Sequence, residues 1–357
     1  MLDRRKMLSA LGALTATIAT TQPRTAFAQN LPKLKFGMGT KTMNATTINM
    51  VIGEGLGYNK QEGFSIEPVP LGSSTNIFVG LDKGDLAFGV GAPSFQLPLF
   101  AKGELPPITN FYEYTYPYKW DVAVQESAPY KTYSDLKGKK IGISGFGTTD
   151  YPVTRAVFQN LGMDPDKDVQ WIAVGEGTTA GVALQRGSID ALAYFDTGFG
   201  QLEASGMTMR ILPRPEKVPM IGGFFVSART DKLKENRKLA VGYGRSGAKA
   251  TEFILANPQA GAKVLLDMYP DLAPRAVAKD EAIKTVLAPV LRRMVLFRPP
   301  YPNMKTGQIQ EEELQREAEF LNLKIANLKP LYTNDLIDEI NDFDKKAVIE
   351  QAKAFKV

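Results

Sequence analysis

The feature that most constrains the fold is a repeated order of short apolar segments, loops rich in Gly, Ser or Thr, and helical segments. In the first part of the chain, the predicted strands lie at 34–38, 64–70 and 86–90. The same order begins again after Asp135, with predicted strands at 141–144, 169–174, 191–195, 209–212 and 222–227. Strands that alternate with helices predict α/β domains with largely parallel sheets.

Because this order occurs twice, we predict an α/β fold of two lobes, each a mostly parallel sheet flanked by helices. The chain would cross between the lobes near 120–126 and return near 222–227, which gives a hinge of two strands. The predicted first lobe comprises 29–124 and 223–357, including a helical C-terminal part, and the second comprises 125–222. A ligand would then bind between the lobes, where strand carboxyl ends and helix amino ends face each other.

Four loops rich in Gly, Ser or Thr lie between a predicted strand and a helix, at 39–44, 72–76, 89–94 and 145–150, and a fifth, at 175–179, follows the predicted strand around Ile172. Each offers free N–H groups at a helix start together with hydroxyl groups, the donors that an oxyanion needs. Ser and Thr are also ordinary helix caps, so only several converging loops would form a ligand site. The loop at 145–150 lacks the Gly-Lys-Ser/Thr of a nucleotide-binding P-loop.

The candidate ligand-binding residues come mainly from these loops and from the end of the strand at 191–195. They are Thr40, Lys41, Asn44, Ser73, Ser74, Thr75, Ala92, Ser94, Tyr118, Gly147, Thr148, Thr149, Asp150, Asp196 and Thr197. Asp150 and Asp196 would accept hydrogen bonds from a ligand, although both positions also suit a helix cap or a solvated turn. Lys41 is either an ion-pair donor or an exposed surface lysine.

An aromatic run occupies the segment 108–126. Tyr112, Tyr114, Tyr116, Tyr118 and Trp120 recur at every second position, which places them on one side of an extended chain. This pattern is typical of a half-buried strand pair. The functional alternative is that one or two of these rings lie against a ligand.

The chain contains neither cysteine nor histidine among its 357 residues. Disulfides, zinc sites of the usual kind, and nucleophiles activated by histidine are therefore excluded. An enzyme built on this sequence would depend on Asp, Glu, Lys or Tyr chemistry. We expect no catalytic residue, no metal site and no cofactor.

The N-terminal residues 1–28 have the pattern of a cleaved export signal. Arg4, Arg5 and Lys6 precede a short apolar segment, and Ala26-Phe27-Ala28 fits a cleavage site. The Arg4-Arg5 pair also leaves a twin-arginine route open beside the Sec route. The signal carries much of the formal charge of +5, so the remaining chain, at about +2, gives no reason to expect a nucleic acid partner.

Several sequence motifs resemble the periplasmic solute-binding proteins of nitrate/sulfonate/taurine-type ABC importers, a family that also includes proteins binding pyrimidine precursors of thiamine. The quoted pieces are Gly57-Tyr58 with Glu62-Gly63-Phe64, 84–89 (GDLAFG), 134–141 (SDLKGKKI), 183–191 (ALQRGSIDA) and 256–260 (ANPQA). The match extends over most of the chain after the signal. Asp196-Thr197-Gly198 departs from the aromatic residue and proline that often follow the corresponding strand. The cysteine-rich motif of the pyrimidine-synthesising relatives is also absent.

This resemblance implies a monomeric protein of the type II-like periplasmic binding protein fold. It implies closure on a small-molecule ligand, delivery to an ABC transporter permease in the inner membrane, and a location in the periplasm. It places the cleft near 40–44, 73–75, 91–94, 147–150 and Asp196-Thr197. No enzymatic activity is expected.

The resulting hypothesis is binding without catalysis, with a small organic acid as ligand, either a sulfonate or a carboxylate, with or without an aromatic ring. Asp150 indicates that the ligand carries a hydrogen-bond donor as well as an acid. Two alternatives stay open at this point. One is an exported enzyme of the same fold that uses Asp, Lys or Tyr, and the other is a ligand-sensing module for a membrane receptor.

Overall fold

The computed structural model describes residues 31–274 and 276–357, so the predicted export signal lies outside the described residues. The described residues form ten strands: β1 Lys33–Met38, β2 Ser65–Pro70, β3 Phe88–Gly91, β4 Ile108–Thr115, β5 Trp120–Val124, β6 Lys139–Ile143, β7 Val169–Ala173, β8 Ala191–Phe195, β9 Arg210–Ile211 and β10 Phe224–Arg229. They form two separate five-stranded sheets.

The helices flank these sheets and make up most of the chain after β10. They are α1 Ile48–Val51, α2 Tyr58–Gln61, α3 Ser74–Lys83, α4 Pro93–Ala101, α5 Asp150–Asn160, α6 Thr178–Gln185, α7 Asp196–Ala204, α8 Thr230–Glu235, α9 Arg237–Ala256, α10 Pro258–Met268, α11 Lys279–Met294, α12 Glu311–Phe320, α13 Ile337–Ile340 and α14 Lys345–Ala354. None of the described helices is both long enough and apolar enough to cross a membrane.

The first sheet has the strand order β2-β1-β3-β10-β4. β1 pairs in parallel with β2 and β3, whereas β10 pairs antiparallel with both β3 and β4. Four of the five strands therefore run in one direction. Helices cover this sheet, and its core includes the stacked rings of Phe88 and Tyr243, whose centroids lie 4.8 Å apart.

The second sheet repeats this plan with the order β7-β6-β8-β5-β9. β6 pairs in parallel with β7 and β8, and β5 runs antiparallel to β8 and β9. Each sheet thus receives one antiparallel strand from the segment that connects it to the other sheet. The predicted α/β fold with two mostly parallel sheets is confirmed.

The chain leaves the first sheet after β4 and enters the second at β5. It returns between β9 and β10. The predicted lobe limits at 124/125 and 222/223 stay a prediction. The strand β5, which those limits assign to the first lobe, pairs only within the second sheet among the described strands. We refer below to the first and second lobes by their sheets.

The two connections between the sheets meet at a glycine pair. Gly222 has a φ of 85°, and a Cβ atom on it would lie 1.9 Å from the ring of Trp120. Only glycine suits this position, because it tolerates a positive φ and lets the backbone approach the indole. We call the segments 116–119 and 221–223 the hinge.

Candidate functional site

A cavity of about 60 Å³ lies between the two sheets. Gly39 and Thr40 follow β1, Glu176 follows β7, and Phe195 ends β8. Thr148 and Asp150 lie at the start of α5, which follows β6. The cavity therefore lies where the carboxyl ends of parallel strands and the amino ends of helices converge, as expected for an α/β binding site.

Aromatic rings form the apolar walls of the cavity. They belong to Tyr114, Trp120, Phe195 and Phe224. The rings of Trp120 and Phe224 meet edge to face with centroids 5.4 Å apart, and Tyr114 lies 6.2 Å from Phe224. Such walls favour a ligand with a planar or apolar body.

Hydroxyl groups form a second part of the lining. Thr47 Oγ1 and Tyr114 Oη are buried and have no hydrogen-bond partner among the described residues. Buried polar groups are nearly always paired in native proteins, so groups left free at a cavity wall are expected to bind a ligand or water.

Asp150 supplies a buried carboxyl group at the amino end of α5. Its Oδ2 accepts a hydrogen bond of 2.6 Å from Ser144 N, while Oδ1 has no partner in the described chain. Burial raises the pKa of this carboxyl, and hydrogen bonds from Thr148 and Ser144 counteract that effect. The free oxygen can accept a hydrogen bond from a ligand.

Three hydrogen bonds join the first lobe to the second across the mouth of the cavity. They are Lys41 N to Glu176 Oε2 at 3.3 Å, Ser74 N to Gly147 O at 3.3 Å, and Thr46 Oγ1 with Thr197 Oγ1 at 2.9 Å. Burial raises the pKa of the Glu176 carboxyl, and the Lys41 N–H lowers it. These contacts describe a closed cleft.

A buried ion pair lies at the cavity wall, which Arg293 helps to line. Arg293 on α11 donates from both Nε and Nη2 to Asp196 at the start of α7, with Nε 2.7 Å from Oδ2. Arg293 Nη1 also donates to Thr46 O at 3.0 Å. Arg293 therefore joins the second lobe to the loop after β1, and both oxygens of Asp196 are already engaged.

Lys119 brings a second buried cation to the cavity wall. Its side chain is buried between Trp120 and Phe224, with Nζ 4.8 Å and 4.5 Å from the two ring centroids. Nζ donates a hydrogen bond to Gly222 O in the hinge. Lys119 is thus part of both the cavity and the hinge.

A larger and more open cavity of about 450 Å³ adjoins the first one. Phe195 lines both cavities, and the hydrogen bond between Thr46 and Thr197 lies next to this boundary. Two predicted ligand-binding residues, Asn44 and Thr197, face this second cavity.

The structure brings five of the predicted residues to the enclosed cavity, namely Thr40, Ser74, Thr148, Thr149 and Asp150. Lys41, Ser73 and Gly147 lie at its mouth, where they contact the opposite lobe or its loops.

The other predicted residues lie away from the enclosed cavity. Thr75 is exposed, and Ala92 and Ser94 are buried at the start of α4. Tyr118 packs with Arg214, whose guanidinium carbon is 4.4 Å from its ring. Asp196 pairs with Arg293. A ligand contact from any of these residues stays a prediction.

Lys119 and Arg293 line the cavity but were not predicted, and Glu176 was predicted only as part of the loop at 175–179. A signal for Arg293 exists, because it follows Val286 and Val290 at the seven- and three-residue spacing of the buried face of α11. An arginine in the phase of an apolar stripe indicates a buried charge that needs a partner. Lys119 lies beside the predicted aromatic run, of which Tyr114 and Trp120, rather than Tyr118, reach the cavity.

Comparison with known proteins gives a family match and a set of similar folds. A family model described as NMT1/THI5 like matches residues 44–261. No curated protein matches the chain. Many solved structures do match the chain. The three described below have low sequence identity to it.

A protein from Bordetella bronchiseptica RB50 superposes with a TM-score of 0.66 at 21% identity, over 87% of this chain and 97% of that one. The periplasmic aliphatic sulphonate binding protein SsuA from Escherichia coli gives a TM-score of 0.59 at 18% identity, over 82% and 92%. A Candida albicans protein described as having the generic periplasmic binding protein fold gives 0.60 at 13% identity, over 85% and 97%. The chain has this fold, and the resemblance seen in its sequence motifs is confirmed.

Proposed function

The chain belongs to the NMT1/THI5-like family, and from this premise we propose that it is a periplasmic solute-binding protein of an ABC importer. It captures a small organic acid between its lobes and delivers it to a permease in the inner membrane. It acts as a monomer and binds its solute without chemical change. The SsuA structure, from a protein whose name gives aliphatic sulphonates as its ligand, supports this assignment at the level of fold.

The observation that carries the proposal is the set of unpartnered polar atoms around an enclosed cavity between the lobes. Asp150 Oδ1, Thr47 Oγ1 and Tyr114 Oη are all buried there without a hydrogen bond to the described chain. Leaving such a group unsatisfied costs about 1–3 kcal/mol. A ligand that pairs with all three would therefore favour the closed arrangement.

The charges around the cavity narrow the ligand class. Asp150 and Glu176 line the cavity from the second lobe, and the cations Lys119 and Arg293 line it as well, so a ligand there meets groups of both signs. The hydroxyls of Thr47 and Tyr114 can donate to an acidic group on the side of the first lobe. We infer that the solute is an organic acid, sulfonate or carboxylate, that also carries an amine-like donor and has a ring or short apolar body.

Closure supplies the mechanism of capture. In an open state the solute meets one lobe, and closing adds the hydrogen bonds across the mouth together with contacts from the second lobe. The solute stabilises the closed state by its extra affinity for that state. A permease can then distinguish the closed, loaded protein from the open one.

The test is a melting-temperature screen with compounds that separate the two recognition elements. Benzoate and ethanesulfonate carry the acid alone, benzylamine the amine alone, and anthranilate and taurine carry both. A ligand at one hundred times its Kd stabilises by about 2.7 kcal/mol, so a compound with both groups is expected to raise the melting temperature by several degrees.

In wild type, compounds with both groups should raise the melting temperature more than the acids alone do. Asp150→Asn should remove most of this difference, because the amide side chain lacks the negative charge of the carboxylate that accepts the hydrogen bond. Asp166→Asn is the matched control, since Asp166 lies on the same lobe, is exposed and pairs with Arg155 away from the cavity. An equal response of both variants, or no response of the protein to any of these compounds, would count against the proposal.

A further inference from the structure

Four ionisable side chains are buried together at the hinge. Lys119, Glu113, Glu313 and Glu317 are exposed by 1%, 1%, 3% and 1%, respectively. Glu113 comes from β4, and the other two acids come from consecutive turns of α12. We call this group the hinge cluster. Buried acids in this number require a physical explanation, because ionised groups are rarely buried without partners.

The hinge cluster holds both segments of the hinge. Gly222 N donates to Glu317 Oε2 at 2.8 Å, and Gly223 N donates to Glu313 Oε1 at 2.9 Å. Lys119 Nζ, from the other hinge segment, donates to Gly222 O. The lysine therefore connects the cavity wall to the point where the chain returns to the first lobe.

Lys119 has donors to spare. An ammonium group has three N–H bonds, and only the one to Gly222 O is used within the described chain. No carboxylate oxygen of a described residue lies within 4.0 Å of Nζ. Both oxygens of Glu113 and Oε1 of Glu317 likewise lack a hydrogen-bond donor there. A ligand acid in the cavity would complete the environment of the lysine.

The electrostatic environment places Lys119 and Glu317 in the range where they change charge near neutral pH. Burial, with a contribution from Arg293, lowers the pKa of Lys119 to about 7, against the opposing effects of Asp196, Glu313 and Glu113. Burial, followed by the charge of Glu313, raises the pKa of Glu317 to about 8. Burial also raises the pKa of Glu113 and Glu313.

We propose that Lys119 is the residue that recognises the acidic group of the solute, and that binding of this group is accompanied by proton uptake at the hinge cluster. The inference rests on the proposed solute-binding function and adds the specificity-determining residue to it. It follows from the geometry of one ammonium group shared by the cavity and by a hinge lined with carboxyls.

The sign of the effect is the same for every member of the hinge cluster. A negative group beside Lys119 favours its protonated form and raises its pKa, and the same negative charge raises the pKa of the three glutamates. Binding of an acid therefore takes up protons, and the affinity for acids falls as pH rises through 7 to 8. An amine without an acid has the opposite dependence.

The first measurement is calorimetry with anthranilate and benzoate in two buffers of different ionisation enthalpy, between pH 6 and 8.5. The wild type is expected to take up a fraction of a proton, with affinity falling by at most about tenfold per pH unit. Lys119→Met should bind both acids at least about tenfold more weakly and with less proton uptake, because only the three glutamates remain to take up protons. Lys137→Met is the control, since Lys137 is exposed and pairs with Asp168. Binding without proton exchange, or a Lys119→Met variant that keeps affinity and uptake, overturns the inference.

The second measurement begins without solute, and this first part separates the inference from the proposed function. The titration of Lys119 can be followed by NMR in isotope-labelled protein, with Lys119→Met to assign its signal or, if that variant does not fold, with Glu317→Gln to shift it. A lysine that titrates near neutral pH, and at higher pH with benzoate present, supports the inference. Titration at the usual value of about 10.4, or no response to benzoate, overturns it. Failure of all compounds in the melting screen, by contrast, counts against the proposed function.

Discussion

Arg293 illustrates how much depends on one buried charge in this molecule. Its side chain is completely buried, and its guanidinium donates to Asp196 and to the backbone of Thr46. The pair connects α11 to α7 across the two lobes. Asp196 was predicted to accept hydrogen bonds from a ligand, but in the structure its oxygens accept them from Arg293, which leaves Asp150 as the free carboxyl of the cavity.

Replacing Arg293 by Met should therefore destabilise the protein strongly. Removing one partner of a buried ion pair leaves an uncompensated charge and costs about 3–5 kcal/mol. The free energy of unfolding in urea is the measurement. Arg292→Met is the control, because Arg292 is the next residue of α11 and also pairs across to α7, with Glu203, but at the surface. Exposed pairs contribute about 0–1 kcal/mol. Similar losses of unfolding free energy in Arg293→Met and Arg292→Met would contradict the view that burial makes the Arg293 pair the more stabilising of the two.

At the scale of elements, α12 has a role that its sequence suggested only in part. The acidic run at 311–313 predicts a first-turn cluster that complements the helix dipole, and Glu311 does pair at the surface with Lys329. Glu313 turns inward to the hinge, together with Glu317 one turn later. The buried carboxyl groups on one face of α12 thus stabilise the hinge by accepting hydrogen bonds from its backbone N–H groups.

This arrangement predicts a pH-dependent stability that involves Glu317. Its folded-state pKa of about 8 lies above the ordinary glutamate pKa of 4.5, so between these values the folded protein binds more protons than the unfolded chain. Stability from this group is fully present below about pH 4.5 and is lost as pH rises through 8, at up to about 1.4 kcal/mol per pH unit.

Glu317→Gln does not titrate, so its stability relative to wild type should increase from pH 5 to pH 8. Urea unfolding at several pH values measures this difference. Glu319→Gln on the same helix is the control, because Glu319 is an exposed residue that accepts a hydrogen bond from Gln315. A constant difference between Glu317→Gln and wild type across this range would show that Glu317 is ionised in the folded protein.

Secondary structure was predicted well where a periodic apolar segment was followed by a loop rich in Gly, Ser or Thr. The strands β1, β2, β3 and β6 were expected close to their observed positions, because each precedes a loop rich in Gly, Ser or Thr. Helices were less well predicted. The spacing of Ile48, Val51 and Ile52 predicts a helix over 45–56. In the structure this segment begins as a 3-10 turn capped by Asn44 and continues only as the short α1 before Gly53. The amphipathic segment 334–354 is divided into α13 and α14, since Asp344 caps a new helix by accepting from Ala347 N.

At the scale of the whole molecule, the loops of the site could be predicted from the sequence, but their meeting at one cavity could not. Thr40, Ser74 and Asp150 meet at one cavity because the two sheets face each other at their carboxyl ends, as the repeated α/β order implies. Arg293 and Lys119 could not be assigned to that cavity in the same way. Their positions depend on how the C-terminal helices and the hinge pack against both lobes, which is long-range information.

The closed cleft makes one further prediction, which concerns the loop at 145–150. A Cβ atom on Gly147 would lie 2.9 Å from the Cβ of Ser73 in the opposite lobe, whereas one on Gly145 would have Thr148 Oγ1, at 3.9 Å, as its nearest neighbour. Gly147→Val should therefore keep the lobes apart, and Gly145→Val should not. Such an overpacked contact costs about 1–3 kcal/mol, so Gly147→Val is expected to weaken solute binding by about tenfold or more.

The measurement combines binding affinity with small-angle X-ray scattering, using any compound that raises the melting temperature of the wild type. Wild type and Gly145→Val should become more compact when that compound is added, and Gly147→Val should not. Because the clash exists only between closed lobes, the melting temperature of Gly147→Val without solute should stay close to that of Gly145→Val. Equal compaction of the two variants would mean that the contact between Ser73 and Gly147 does not limit closure, and that the hydrogen bond from Ser74 to Gly147 forms without close approach of the two loops.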